Sequence, residues 1–330
     1  MNNSPAILIV SHGSPREEAN RGFIEMVCRI ARRLGQADVL PAFFSIVGPS
    51  IEDRVAELSA CGVRRIVLMP YFLYAGQHTS HDIPAQLAEC RRRFPDVALE
   101  LLPTLENDPA LEDVVAERLL PLVASETPLP DDGEAIQRRS FEIIDRGLAA
   151  YGAPDPAVRS ILRRIIHATA DFSFARSLRV HPAAVRRGRE ALAAAVAVVC
   201  DVTMVRSGLT KAPGEVLCGI DRDEVAAMAR ARGCTRAAAA MEFFGPRLEG
   251  AIVVVGNAPT ALWKVLAMAQ SGAARPALVI GLPVGFVGAR ESKAALLESD
   301  LVYITNVGPR GGSPVAAAAL NALASLPEEE

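Results

Sequence analysis

The sequence has no Cys-x-x-Cys pair: its six cysteines, at 28, 61, 90, 200, 218 and 234, stand apart in apolar or helical contexts. Such spacing excludes a structural zinc site and reads as reduced thiols in a cytoplasmic protein. An excess of one charge is missing as well. The chain carries 35 basic and 38 acidic residues, interspersed, for a net charge of −3. That is not the broad positive field nucleic acid requires. No apolar run approaches the ~20 residues that cross a bilayer. The N-terminus Met1-Asn2-Asn3-Ser4-Pro5 has no basic leader region, so a soluble cytoplasmic protein without membrane contact is expected. No glycine-rich loop is followed by Gly-Lys-Ser/Thr, which removes a Walker-type phosphate loop, and none is a convincing dinucleotide fingerprint. There is no internal repeat. Histidine is scarce, at five residues, so each can be weighed singly.

What is present is α/β patterning over 330 residues, half of them hydrophobic. That length suits two domains of about 100 to 200 residues each. Ala6–Val10 is a short continuous apolar run, as expected for a strand buried on both faces of a parallel sheet. A helix follows over Glu17–Leu34, a strand over Val39–Phe44, and a helix over Ser50–Cys61 closed by Gly62. Strand Arg65–Met69, helix Ile83–Arg93 and strand Ala98–Leu102 complete a doubly wound series. Residues 121–134, rich in proline and acids, read as a linker between a domain at 1–120 and another at 135–330. Helices are predicted over Ile136–Tyr151, Ala157–His167 and Pro182–Ala195, then a strand over Val196–Cys200. Asp221 to Glu224 fits a capping box. Strands over Ala251–Val255, Ala277–Gly281 and Leu301–Thr305 each lead into a glycine-rich loop and an Ala-rich helix.

In the first half, His12 directly follows the first strand and His78 lies beyond a later one. Open parallel sheets bind ligands outside the carboxyl ends of their strands. Two neutral imidazoles facing across a cleft can hold a divalent metal or take protons from a weakly acidic ligand. Each could instead simply cap its loop. The elements SHGS, AFFSIVGPSIED and MPYFLYAGQHTSHDIP, spread over residues 5–120, resemble the short form of the sirohydrochlorin cobaltochelatases. The resemblance implies insertion of Co²⁺, as substrate, into a planar tetrapyrrole. His12 and His78 would bind the metal and help remove pyrrole protons. It also implies a homodimer, since chelatases of this class have two lobes around a cleft. The chain departs from the family at Ser45 and Gly48, where an acidic residue is common. His81 is expected at the surface.

In the second half, Gly256–Thr260, Gly285–Arg290 and Gly308–Ser313 are loops whose glycines let backbone approach a ligand and whose following helices offer free N–H groups to anions. Together they suggest a ligand with several carboxylates. The motifs QRRSFEII, RRIIHATADF, VVCDVTMVRSGLT, GCTRAAAAME, VVVGNAPTALWKVL, GLPVGFVGARESK and ITNVGPRGGSPVAAAALNALA run in order from about Ile136 to Ser325. They resemble the precorrin-8X (cobalt-precorrin-8) methylmutases. That family's catalytic histidine falls on His167. The implied reaction moves a methyl group from ring carbon 11 to ring carbon 12 of a corrinoid precursor, with the imidazolium protonating or hydrogen-bonding a ring nitrogen. Ser140 and Arg236 are placed as substrate-binding groups, Arg236 as a bidentate partner for a propionate. Asn257, Thr260 and Ser313 are expected at ligand-facing ends of strands, and Lys211 and Arg310 as further propionate partners. His181, ahead of Pro182, reads as a helix-start residue.

Joined, the two resemblances imply two three-layer α/β/α domains, a chelatase-like lobe followed by a flavodoxin-like parallel-sheet methylmutase domain. They imply a bifunctional enzyme of cobalamin biosynthesis, without an organic cofactor, acting as a homodimer or higher homo-oligomer. Fusion to an early-acting chelatase favours the cobalt-early route. Two other readings stand beside it: a methylmutase whose first domain only docks or dimerises, and a non-catalytic tetrapyrrole carrier. Iron or nickel also suits imidazole ligands.

Overall fold

A computed structural model describes residues 5–36, 38–123, 132–149, 151–152 and 155–327. The chain divides into two compact units, Met1–Glu126 and Thr127–Glu330. The first unit runs β1 (Ala6–Ser11), α1 (Glu17–Leu34), β2 (Val39–Phe43), α2 (Ile51–Ala60), β3 (Arg65–Pro70), α3 (Ile83–Arg93), β4 (Ala98–Leu101) and α4 (Pro109–Val123). Its strands form a parallel sheet in the order β2-β1-β3-β4. Leu8 and Val10 of β1 face the cluster built by α2 and α3, and Ile9 faces Val27 of α1. The continuous apolar run therefore reflects two covered faces. Helix α2 starts at a true capping box: Ser50 Oγ accepts the Asp53 amide at 3.1 Å, and Asp53 accepts the Ser50 amide at 2.8 Å.

The second unit runs α5 (Gly133–Ala149), α6 (Pro156–Thr169), α7 (Phe174–Ser177), β5 (Leu178–Val180), α8 (Ala184–Ala193), β6 (Val198–Cys200), α9 (Thr203–Gly208) and β7 (Val216–Cys218). It continues with α10 (Asp223–Arg232), α11 (Arg236–Phe243), β8 (Ile252–Val255), α12 (Pro259–Gln270), β9 (Leu278–Gly281), α13 (Ala289–Glu298), β10 (Tyr303–Asn306) and α14 (Ser313–Ala324). The sheet order is β5-β10-β9-β8-β6-β7. Its five parallel strands keep the flavodoxin-like order, so two α/β units with helices on both sheet faces are present. Helices α5, α6, α8 and α14 cover one face of this sheet, and α11, α12 and α13 the other.

Several sequence expectations need correction. The second sheet is not wholly parallel, because β5 pairs antiparallel with β10 at its edge. Three-residue strands such as β5 and β7 are too short to show a period. Linker residues 121–123 lie in α4 and 133–134 in α5; 124–131 fall outside the described residues. Asp221 does not cap α10. It accepts the Thr203 hydroxyl at 2.7 Å instead, and the N-cap, Arg222, makes no side-chain cap.

Candidate functional site

In the first unit, β1 delivers His12 and the turn after β3 delivers His78, and their ring centroids lie 5.2 Å apart. Phe44, just past β2, stands 5.8 Å from one ring and 5.0 Å from the other. Three neighbouring strands thus place one side chain each at the carboxyl end of the sheet. His12 is held by its backbone: its carbonyl accepts the Ser45 amide at 3.1 Å. The next residue must be glycine, because at φ +88° a Cβ on Gly13 would sit 2.3 Å from the Ser45 carbonyl. So Ser45, where the resembled family often has an acid, serves here through its backbone.

The tautomers follow from the partners. His78 Nδ1 lies 2.7 Å from Asp82 Oδ2, and His12 Nδ1 lies 3.2 Å from the Gly13 carbonyl. An ionised carboxylate and a carbonyl can only accept, so each Nδ1 carries a hydrogen, and in the neutral ring each Nε2 keeps the lone pair. Asp82 was missed in the sequence, although the His-x-x-x-Asp spacing across a helical turn carries the signal. Residues His78–Asp82 form a π-helical turn before α3, a distortion common at functional positions. Among the described residues no group of three or more His, Cys, Asp or Glu could hold a metal by itself. His81 is exposed, as expected.

In the second unit, α6 packs its Ile161, Ile165 and Ile166 into the core and thereby turns His167 outward in its last turn. Ser140, from α5, meets His167 Nδ1 at 2.9 Å, and the Phe141 ring lies 5.0 Å from the imidazole. The guanidinium groups of Arg163 and Arg164 stack over the Phe141 ring at 4.6 and 5.2 Å. His167 opens onto a cleft of about 280 Å³ lined by Arg164, Thr210, Lys211, Pro314 and Asn321 among others. The Asn321 side chain ties that wall together, accepting the Thr210 and Lys211 amides and donating to the Gly208 carbonyl. With Arg164 and Lys211 at its rim, the cleft suits a carboxylate-bearing ligand.

The remaining sequence candidates divide by position. Ser140 touches the imidazole and acts on it; Lys211 lines the cleft. Arg236, Asn257, Thr260, Arg310 and Ser313 do not line it. Arg236 and Thr260 begin α11 and α12 on the opposite sheet face, where Thr235 and Thr260 share a hydrogen bond of 2.6 Å. Arg310 is engaged inside the chain, pairing with Asp171 at 3.1 Å and donating to the Ser173 hydroxyl. Ser313 is only 5% exposed. The glycine-rich loops were expected to admit a ligand, but two of them pack on each other. Gly312 N donates to the Leu282 carbonyl and Gly285 N to the Pro309 carbonyl. A Cβ on Gly311 would come within 2.3 Å of the Leu282 carbonyl. The close approach that glycine permits there is between two loops. His181 accepts the Ala183 amide at 3.1 Å, which is the helix-start role expected of it.

Two buried charged groups brace this end of the sheet. Asp201, following β6, is fully buried and accepts three backbone amides, those of Gly256, Asn257 and Ala258, at 3.1, 2.8 and 2.7 Å. Lys293 of α13 is also fully buried, and its ammonium donates to Asn306 and to the Arg310 carbonyl. Among the described residues no carboxylate pairs with Lys293, and burial pushes its amine down from 10.5 to about 8. The unfolded chain therefore holds more proton between about pH 8 and 10.5, so this residue's contribution to stability rises with pH across that window. Below it, the cost of the buried charge is constant. The stability difference between wild type and Lys293→Met should shift by about 2–3 kcal/mol in favour of wild type from pH 7.5 to 10. Urea titrations of both proteins at the two pH values check this, and a difference that ignores pH would remove the buried-amine account.

Comparison with known proteins extends this geometry. Residues 135–326 match the family model described as precorrin-8X methylmutase, and residues 6–121 match that described as CbiX. The precorrin-8X methylmutase of Pseudomonas aeruginosa is 44% identical over 200 residues, covering 59% of this chain and 96% of its own. The cobalt-precorrin-8 methylmutase of Priestia megaterium is 40% identical over 204 residues, covering 60% of this chain and 90% of its own. The crystal structure of precorrin-8X methylmutase from Thermus thermophilus superposes with a TM-score of 0.52 at 38% identity, covering 58% of this chain and 96% of that one.

Proposed function

We propose, on the premise that this chain belongs to the precorrin-8X methylmutase family and carries a CbiX-family domain before it, that it is a bifunctional enzyme of cobalamin biosynthesis. Its second domain is an isomerase of the methylmutase kind. The Ser140–His167 pair carries the reading of its chemistry. In the imidazolium, Nδ1–H donates to Ser140 Oγ, and Nε2–H is left to meet a ring nitrogen of the corrinoid. Protonating or hydrogen-bonding that nitrogen draws electron density into the macrocycle as the methyl group moves from carbon 11 to carbon 12. When the shift is complete the proton returns to Nε2. Arg164 and Lys211 bind substrate carboxylates.

A cleft of about 280 Å³ falls below the roughly 300–1,000 Å³ of ordinary ligand sites, and a corrinoid is larger than most ligands. Arg236 and Thr260 begin helices that cover the other sheet face from α6. A homodimer in which a second copy completes the enclosure accounts for both facts.

For the first domain the reading is insertion of Co²⁺, as substrate, into sirohydrochlorin. Two imidazoles with free Nε2 lone pairs 5.2 Å apart between ring centroids can take the ion without caging it. The macrocycle nitrogens then replace them as ligands, and the imidazoles accept the displaced pyrrole protons. The His78–Asp82 bond speaks against a degenerate docking domain, because it holds the ring with Nε2 turned free for a metal. Visible absorbance of sirohydrochlorin with Co²⁺ tests this. Wild type should accelerate insertion over the spontaneous rate, His12→Ala and His78→Ala should lose that acceleration, and Asp82→Asn should slow it ~10–100-fold. Wild type at the spontaneous rate would leave the domain a docking module. Parallel runs with Fe²⁺ and Ni²⁺ establish the metal preference.

A further inference from the structure

Cys200 ends β6 and Cys218 ends β7, and the two are direct partners in the parallel register of those strands. They stand eighteen positions apart in the sequence, yet both side chains face the same cluster, under α6 and α14. Adjacent strands run about 4.8 Å apart, inside the roughly 4.4–6.8 Å Cα separation that a disulfide spans. Cys200 is buried and Cys218 half-buried, so a reagent meets Cys218 first.

The surroundings divide the labour between the two sulfurs. Beside Cys218 stand the Cys200 sulfur above all, then the Ile220 amide and the Thr203 side chain, with the Arg206 guanidinium nearby; together they outweigh burial. These hold its thiol down at about 6, while the same contact and burial push Cys200 up. The Cys200 thiol donates to the Leu217 carbonyl at 3.4 Å. No contributor to the His167 cleft is involved. The pair is therefore unused by the chemistry above.

We propose that Cys200 and Cys218 form a dithiol exchange site for low-molecular-weight disulfides, closing a reversible bridge between β6 and β7. The Cys218 thiolate attacks one sulfur of the disulfide R–S–S–R, forming a mixed disulfide and releasing RS⁻, which takes a proton from solvent. Cys200 then gives its proton to solvent and attacks the Cys218 sulfur, expelling a second RS⁻, which is protonated in turn. The two cysteines lose two electrons and two hydrogens, and the small disulfide gains them as two thiols. A bridged pair lies immediately before Asp201, the residue that holds the Gly256–Ala258 loop.

The test uses the full chain with Cys28, Cys61 and Cys234 replaced by serine, so that only Cys90, Cys200 and Cys218 remain. Oxidised glutathione is added, samples are acid-quenched, and intact mass and peptide maps are followed. The expected product is lighter by two hydrogens, carries no glutathione, and joins the peptides containing 200 and 218. Cys200→Ser should stop at a glutathione adduct on Cys218. Cys218→Ser should slow modification of Cys200 by at least ~10-fold. Unchanged far-ultraviolet dichroism shows that each variant is folded. An unreacted chain overturns the proposal, as does a wild-type pair that stops at the mixed disulfide or a bridge that forms only after the fold is lost.

Discussion

Replacing His167 by alanine is expected to lower methyl migration by ~10²–10⁴-fold, the usual contribution of a positioned general acid. Corrinoid binding should survive, because the Arg164 and Lys211 groups at the cleft are untouched. Helix α6 buries its three isoleucines and leaves the imidazole facing out, with Nδ1 already engaged by Ser140 at 2.9 Å. One nitrogen is then left for substrate. A second variant separates two roles. Glutamine at 167 can place an amide hydrogen near the Nε2 position but cannot give up a proton. If His167→Gln keeps most of the rate, hydrogen bonding to the ring nitrogen is enough; if it is as slow as alanine, proton transfer is required. Single-turnover absorbance changes with (cobalt-)precorrin-8 give the rates, and equilibrium titration with the product gives binding. Full activity in the alanine variant would falsify the assignment of His167, and a variant that neither binds nor turns over would mean that the imidazole holds the ligand.

The second large effect is on stability. Asp201→Asn should cost about 2–4 kcal/mol, since buried donors left without an acceptor cost roughly 1–3 kcal/mol each and the amide keeps only one accepting oxygen. The carboxylate uses both oxygens on three amides, and Gly256 N shares its buried setting. Asparagine turns an NH₂ group toward those N–H donors. Burial raises the Asp201 carboxyl above its ordinary range, and the three amide bonds oppose that rise. Some desolvation cost is therefore relieved by the substitution, which keeps the expected loss below the sum of the one or two amide bonds lost. Urea unfolding measures it. A change under about 0.5 kcal/mol, the ordinary range for a surface substitution, would mean that water or backbone relaxation replaces the acceptor.

Much of the fold was legible. Helix α1 runs over Glu17–Leu34 as its pattern predicts, and Gly62 takes φ +84° past α2. The parallel strands announced themselves as short apolar runs because both of their faces are covered. Less legible were features whose partners lie elsewhere. The Asp221 capping box failed because α10 begins at Asp223 with Arg222 as its N-cap, and Asp221, outside the cap, accepts a tertiary hydroxyl from Thr203 instead. Arg310 read as a free cation but pairs with Asp171, 139 positions away. The glycines at 311 and 312 read as ligand-facing, and they face another loop. Six cysteines without a Cys-x-x-Cys spacing read as isolated thiols, until strand register brought Cys200 beside Cys218.

The sequence by itself determined the two α/β series, the histidines at strand ends and the resemblance of each half to a family. Burial period, turn chemistry and motif order are all written locally, within a few residues of one another. The tertiary structure alone decided which reactive side chains meet. His12 reaches His78, Ser140 reaches His167 across 27 positions, and Asp201 reaches residues 256–258. Those pairings depend on strand order and helix packing, and hydrogen bonds over such separations leave no period in the chain that would reveal them.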